Sequence, residues 1–275
     1  LTDMIKLGFV DPQCVDEVGL SDRDNFIQAN QDIFTGLGKF PDSVKLKISS
    51  NAIPQSNPPR RVSQVIKQKL KSTLDNYETL GVIEKVTEPK AWVHNLVIVE
   101  KNDKTLRLCI DPRNLNQYLI RDYYEMPTIS ELMSKLANKK FYTVLDLKDG
   151  YFQAPLDDES SDFCCFSSPY GNYKFKRMPQ GITVGTEVFS KLMDKYFGDI
   201  PGTAHFLDEL AIGADSLEEH NRILEKVLAR ARKCCIRFNP KKLQYCVNEI
   251  SFLNLIYNLF SFVYVSRFKV LPKIF

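Results

Sequence analysis

Two carboxylate sites, each set among apolar residues, constrain this chain more than any other feature. The first is Asp146, within Val144-Leu145-Asp146-Leu147-Lys148-Asp149-Gly150-Tyr151. The second is the Asp208-Glu209 pair of Phe206-Leu207-Asp208-Glu209, between two short apolar runs. Short apolar runs read as buried strands, and a strand end or tight hairpin holds a carboxylate rigidly. Two such sites side by side supply the anionic oxygens that a pair of divalent cations about 3.5–4 Å apart needs for phosphoryl transfer. Taken singly, each aspartate reads more simply as a strand-end or turn residue, so the surroundings decide.

The bulk properties set wide bounds. A chain of 275 residues, 44% hydrophobic, holds one large domain or two subdomains around an ordinary core. The net charge of +3, from 37 basic and 34 acidic residues, does not diagnose nucleic-acid binding. Basic residues do cluster, at Arg60, Arg61, Lys67, Lys69 and Lys71, at Lys174, Lys176 and Arg177, and from Arg230 to Lys242. Each cluster is either a solvated helix face or a phosphate contact. The seven cysteines are an odd number with no CxxC spacing, and no signal peptide precedes them, which points to a reduced intracellular compartment rather than secretion. His94, His205 and His220 lie far apart and suggest no metal site. No stretch supplies the ~20 apolar residues of a membrane span. Phe252 to Val265 comes nearest, is interrupted by Asn254, Asn258 and Ser261, and reads as a strand or a sticky tail. The start at Leu1 rather than Met is read as a piece of a longer polyprotein or a partial gene model.

Periodicity predicts a helix carrying Val62, Val65, Ile66, Leu70, Leu74 and Tyr77, ended by Gly81. Another opens at Ser21 and runs through Phe26 and Ile27. Strands are expected over Ala91–Glu100 and Leu106–Ile110, joined by a turn at Lys101-Asn102-Asp103-Lys104. Further helices are expected over Thr128–Leu136, Gly185–Phe197 (Val188, Leu192 and Tyr196 inward) and Leu217–Cys235. Tyr142–Leu147 reads as a buried strand, and His205–Gly213 as a hairpin centred on Asp208-Glu209. Strands over Gln244–Val247 and Ile250–Ile256 close the series.

Many collinear motifs over residues 31–253 resemble the reverse transcriptase of retroelements, closest to gypsy-type LTR retrotransposons. They include Leu106-Arg107-Leu108-Cys109-Ile110-Asp111-Pro112-Arg113-Asn114-Leu115-Asn116, the Asp146 block, Met178-Pro179-Gln180-Gly181, the Asp208 block and Phe238-Asn239-Pro240-Lys241-Lys242. The resemblance implies an α+β right-hand polymerase fold of fingers and palm, with a ferredoxin-like palm sheet and packed helices, and with the thumb absent. It divides the chain into an N-terminal connector (1–40), fingers (41–119 and 153–184), palm (120–152 and 185–257) and an atypical tail (258–275). It implies an RNA-directed DNA polymerase, a nucleotidyltransferase extending a primer strand with deoxynucleoside triphosphates on an RNA or DNA template. The expected cofactor is two Mg²⁺ ions, with Mn²⁺ as a substitute. The rest of a Pol polyprotein is an expected partner, and the expected location is cytoplasmic, in the virus-like particles of the family.

By the same resemblance, Asp146 and Asp208 are the main metal ligands with the Leu147 carbonyl, and Glu209 completes the catalytic set. Lys101, Arg107, Asp149, Gly150, Tyr151, Gln180 and Gly181 match nucleotide-binding positions, Tyr151 as the gate against a 2′-hydroxyl. Lys241 or Lys242 matches the proton donor to pyrophosphate, and the sequence does not choose between them. Three departures stand out: Glu209 replaces a second aspartate, Asn254 replaces a glycine at the primer grip, and the resemblance stops near Leu253; Thr186 also stands where the family prefers proline. On this reading Glu209→Asp restores reach. The alternatives are an inactive fold that still binds nucleic acid, or a relic without function.

Overall fold

In the computed structural model, which describes residues 20–253, 255–258 and 262–264, helices pack against three sheets. The chain opens with α1 (Leu20–Ala29), α2 (Gln31–Phe34) and α3 (Gln64–Thr79), then β1 (Ile83–Val86), β2 (His94–Glu100) and β3 (Leu106–Asp111). Next come α4 (Arg113–Asn116), α5 (Ile129–Leu136), β4 (Phe141–Asp146), α6 (Asp158–Phe163), β5 (Cys165–Ser168) and β6 (Gly171–Phe175). The remainder is α7 (Gly185–Phe197), β7 (Thr203–Phe206), β8 (Glu209–Ala214), α8 (Leu217–Lys233), β9 (Gln244–Val247), β10 (Glu249–Phe252), β11 (Leu255–Asn258) and β12 (Phe262–Tyr264). The strands form a five-stranded sheet β1-β6-β5-β2-β3, a four-stranded sheet β7-β8-β4-β9 and a three-stranded sheet β10-β11-β12.

The four-stranded sheet carries both carboxylate sites because β4 lies between β8 and β9. Side chains alternate across a strand, so each face of β4 meets a different layer. Leu145, with Leu210 and Ile212 of β8, joins the core built by α7 and α8. Tyr142 and Val144, with Ala204 and Ala211, pack on Leu132 and Leu136 of α5 and on Ile250 and Phe252 of β10. Burial on both faces explains why β4 reads as an unbroken apolar run rather than an alternating one.

Local signals account for most element ends. Thr128 caps α5 in a reciprocal capping box with Glu131, and Gly81, at φ +65°, stops α3. Three expectations are corrected. Val65 is 81% exposed: it lies about 100° around the helix from Ile66, off the ridge of Leu70 and Leu74. On α7, Leu192 and Tyr196 are buried as expected but Val188 is only half-buried, and Phe189, Met193 and Phe197 are more deeply buried, because the helix is covered on two sides. The strand expected over Ile250–Ile256 is a hairpin, β10 and β11, broken at Leu253 with φ +57°. Most of the basic clusters are satisfied internally: Lys174 and Lys176 pair with Asp162 and Asp158, Arg230 with Asp199, and Arg232 with Asp32. No described helix is long and apolar enough to cross a membrane. The tail expected over 258–275 lies almost wholly outside the described residues.

Behind β4, Thr143 and His220 of α8 form a buried polar pair, 2.8 Å apart. The Thr143 hydroxyl accepts from the Cys246 N–H (2.9 Å), and it donates to His220 Nε2 because Nδ1 faces Asn221 Oδ1, which can only accept. The ring proton is then on Nδ1, which donates to Asn221 Oδ1 at 3.1 Å. Burial lowers the pKa of His220, although its bond to Asn221 opposes this. A histidine held neutral in the fold is protonated first in the unfolded chain, so its stabilisation is present at neutral pH and lost as pH falls below about 6.5. His220→Asn is therefore expected to flatten the fall in stability between pH 6.5 and 5 by up to about 1.4 kcal/mol per pH unit. Denaturant melts of both proteins at several pH values check this, and an unchanged slope refutes it.

Candidate active site

Antiparallel register sets Asp146, the last residue of β4, directly opposite Glu209. The β7–β8 turn consists of Leu207 and Asp208 alone, since Phe206 pairs with Glu209. Leu207 has φ +50°, the left-handed backbone that a two-residue hairpin turn needs at its first position. The hairpin expected to centre on Asp208-Glu209 is thus centred one residue earlier, and Glu209 is the first residue of β8. By strand alternation Glu209 shares a face with Ala211, and Asp146 with Val144, which is the face covered by β10. The Glu209 Oε2 accepts from the Leu253 N–H at 3.3 Å, at the start of the β10–β11 turn. The replacement of glycine by Asn254 lies outside the described residues.

Asp146 is 4% exposed and accepts a 2.6 Å hydrogen bond from Lys242 Nζ. The geometry thus separates the two lysines that the sequence left equal. Lys242 ends a 3₁₀ turn, Pro240–Lys242, that Asn239 caps through the Lys241 N–H; both lysines are exposed, but Lys241 forms no ion pair among the described residues. Asn239 N–H also donates to the Asp146 carbonyl (2.7 Å), which ties this turn to the end of β4. Burial pushes the Asp146 carboxyl up to about 6, against the bond and charge of Lys242, and Asp208 and Glu209 push the same way. Burial also raises Glu209, with the Leu253 N–H opposing. Burial alone would lower Lys242, but the hydrogen bond it donates to Asp146 and the charges of Asp146, Asp208 and Glu209 hold it raised.

Three carboxylates against one ammonium leave an excess of negative charge, and hard carboxylate oxygens suit divalent cations. The donor set therefore fits such ions in kind. As the side chains stand, no group of three His, Cys, Asp or Glu among the described residues is gathered closely enough to hold one. Two of the three candidate carboxylates are instead turned onto Lys242 and the Leu253 amide.

The segment after β4 folds back against the Asp208 turn. Leu147 N–H donates to the Asp208 carbonyl (2.7 Å), and Leu147 bridges to Phe238. Asp149 takes the left-handed φ of +49°. A Cβ on Gly150 would lie 3.0 Å from the Asp208 Cβ and 3.2 Å from the Phe189 ring, so glycine lets this turn pass the hairpin without displacing either. The next two aromatic residues diverge. Tyr151 stacks on Phe189 at 5.3 Å, half-buried, its hydroxyl 3.4 Å from Thr186. Phe152 instead enters the core against Tyr77 and Phe175.

The remaining predicted residues lie on or against the five-stranded sheet. Lys101, at the end of β2, reaches Asp149 at 3.9 Å. Arg107 is exposed on β3. Gln180 accepts from the Cys109 thiol (3.4 Å) and its carbonyl accepts from Ile110 N–H (3.3 Å). Gly181, at φ +114°, presses against the Ile110 carbonyl. Asp146, Leu147, Asp208, Glu209, Gly150, Tyr151 and Lys242 are thus gathered at one end of the four-stranded sheet. Lys101 and Asp149 join them to Arg107, Gln180 and Gly181.

Sequence reasoning missed Gln153. It is fully buried, donates to the Lys148 carbonyl (2.8 Å) and the Arg237 carbonyl (2.7 Å), and accepts from Arg237 N–H (2.9 Å). It fastens the Asp149 turn to the segment that leads into Lys242. The signal was a lone amide in the otherwise apolar Tyr151-Phe152-Gln153-Ala154-Pro155-Leu156.

A family model described as reverse transcriptase (RNA-dependent DNA polymerase) matches residues 99–257. The retrovirus-related Pol polyprotein from transposon 412 of Drosophila melanogaster is 30% identical over 180 residues, covering 62% of this chain and 15% of its own length. That from transposon gypsy of Drosophila melanogaster is 30% identical over 152 residues, covering 54% of this chain and 15% of its own length. This chain thus spans only a small part of the curated relatives that it matches. Among solved structures, the foamy viral protease–reverse transcriptase in complex with double-stranded DNA superposes with a TM-score of 0.80 at 18% identity, over 88% of this chain and 43% of that one. The same viral protein in complex with RNA/DNA hybrid gives 0.79 at 17% identity, over 92% of this chain and 34% of that one. These structures share the α+β fingers-and-palm fold. With the family model covering more than half of its residues, the chain belongs to the reverse transcriptase family.

Proposed function

We propose that this chain carries the polymerising centre of a retroelement reverse transcriptase, adding deoxynucleotides to a primer 3′ end on a nucleic-acid template. One observation carries the reading: Asp146 and the Asp208 turn meet at one end of adjacent buried strands, with Gly150 and Tyr151 packed beside them. The four-stranded sheet with α5, α7 and α8 serves as the palm (120–152 and 185–257). The five-stranded sheet serves as the fingers (41–119 and 153–184).

Asp146, Asp208 and the Leu147 carbonyl would hold the divalent cations. Bound there, such ions supply positive charge that lowers the pKa of the primer hydroxyl and offsets charge on the triphosphate and leaving pyrophosphate. Arg107 grips the triphosphate because the guanidinium fork matches phosphate oxygens, and Lys101 adds a point charge. The Asp149–Gly150 amides face the same phosphates. The Tyr151 ring, fixed by its stack on Phe189, leaves no room for a 2′-hydroxyl. Gln180 and Gly181 present a surface to the nucleotide and template. Lys242, rather than Lys241, gives its proton to the departing pyrophosphate, since it alone of the two reaches the carboxylate cluster. Primer extension on an RNA template, with Mg²⁺ and with Mn²⁺, tests the reading. Salt-sensitive hybrid binding with no extension in either ion would establish the inactive binding fold instead.

Glu209 serves here as a positioning residue that acts through the β10–β11 turn. Glu209→Gln keeps an acceptor for Leu253 N–H, whereas Glu209→Asp keeps the charge and loses the reach. A buried hydrogen bond to a charged group is worth about 1.5–3 kcal/mol, roughly tenfold or more in an equilibrium. Glu209→Asp is therefore expected to raise KM for the primer by about tenfold, with kcat little changed, and Glu209→Gln to stay near wild type. The opposite order would make Glu209 a metal ligand and its contact with Leu253 incidental.

A further inference from the structure

A cavity of about 560 Å³ opens behind the Asp149 turn, on the side away from the carboxylates. One wall is a polar face of α3, where Lys69, Thr73 and Asn76 follow at helical spacing. The opposite wall is the β2–β3 turn with Lys101 and Lys104, and Lys148 closes the end. The floor is apolar: Tyr77 and Phe152 meet edge to face at 5.2 Å, and Leu106 lies beside them.

This cavity is not the face that Arg107 presents. Successive strand residues point to opposite sides, so Leu106 enters the cavity and Arg107 leaves it. The same divergence separates Phe152, on the floor, from Tyr151, which stacks on Phe189. Its charge is also lopsided. Four lysines line it against one carboxylate, Asp149. Lys69 is matched by Glu100 and Lys101 by Asp149. Lys104 and Lys148 have no ion pair among the described residues. Leu37, Leu80 and Val82 extend the apolar floor, and the polar face of α3 meets the unpaired ammonium groups of Lys104 and Lys148 across it. Its volume falls in the range of small-molecule sites.

We propose that this cavity is an accessory site for a nucleoside polyphosphate, with the base on the Tyr77–Phe152 floor and the phosphates between Lys104 and Lys148. The site goes beyond the polymerising centre and stands whether or not that centre is active. The probe is fluorescent N-methylanthraniloyl-ATP, titrated by anisotropy onto the chain without template, primer or divalent cation. Lys104→Glu combined with Lys148→Glu is expected to weaken binding by about tenfold or more. Thr73→Trp, which fills the cavity without changing charge, should do the same. Lys45→Ala, at an exposed surface lysine that does not line the cavity, should stay within about twofold. Unfolding transitions matching wild type establish that the variants fold. Unlabelled ATP should displace the probe at lower concentration than tripolyphosphate does. Equal displacement by the two would overturn the nucleoside part of the proposal. Loss of binding in Arg107→Ala, with the cavity variants unaffected, would overturn it altogether.

Discussion

Asp146→Asn is expected to reduce primer extension by at least about 10³-fold, equivalent to ~4 kcal/mol of barrier, while leaving the cooperative unfolding transition in place. The amide has nearly the shape of the carboxylate, so packing around the end of β4 is unchanged. What is lost is the charge that would hold a divalent cation. Lys242 also loses its counter-charge, but its side chain is 58% exposed and can turn to solvent, so the fold loses little. The control is Lys242→Gln, which leaves Asp146 free to bind cations. Luminescence of bound Tb³⁺ should rise in that variant and vanish in Asp146→Asn. Extension at the wild-type rate by Asp146→Asn would remove Asp146 from the catalytic set.

Gly181→Ala is expected to destabilise the chain by about 4 kcal/mol, a fall in Tm of roughly 10 °C for a domain of this size. Two effects add. At φ +114° the backbone is in a region that L residues rarely adopt, which costs about 1–3 kcal/mol. A Cβ there would also run into the Ile110 carbonyl oxygen and come within 3.1 Å of the Pro112 ring. Neither can give way, because Ile110 is held in the ladder between β2 and β3 and its N–H is bonded to the Gln180 carbonyl. Gly171 provides the comparison. Its φ is +111°, but a Cβ would meet only the Lys85 side chain, at 3.6 Å. Gly171→Ala should therefore lose only the conformational part, about 1–3 kcal/mol. Equal losses in thermal melts of the two variants would show that contact with Ile110 does not matter. The Gly181 carbonyl also accepts from Asn116 at 2.9 Å, so loosening this contact disturbs α4 as well.

The sequence by itself determined the elements whose signals are local. The run Phe141-Tyr142-Thr143-Val144-Leu145-Asp146 is apolar enough to mark a strand buried on both faces. The capping box at Thr128 and the stop at Gly81 mark helix ends, because a side chain within three residues, or the lack of one, decides them. The collinear motifs indicated the family and the α+β fold, and the family model and the solved structures agree. Tertiary structure decided whatever depended on partners distant in the chain. A shift of one residue in the centre of the β7–β8 hairpin puts Glu209 on a strand, opposite Asp146 and on the face of β10, where it meets Leu253. Because side chains alternate strictly along a strand, that single residue decides which layer a carboxylate enters. Lys241 and Lys242 are equivalent in sequence, and only the 3₁₀ turn capped by Asn239 directs one of them onto Asp146. Gln153 becomes a clamp only when Lys148 and Arg237, which are 89 residues apart in the chain, lie side by side. Composition and periodicity report how much of a residue is buried, whereas hydrogen bonds are short and directional. Which polar groups meet at the site is therefore set by the packing of strands and turns that no local window contains.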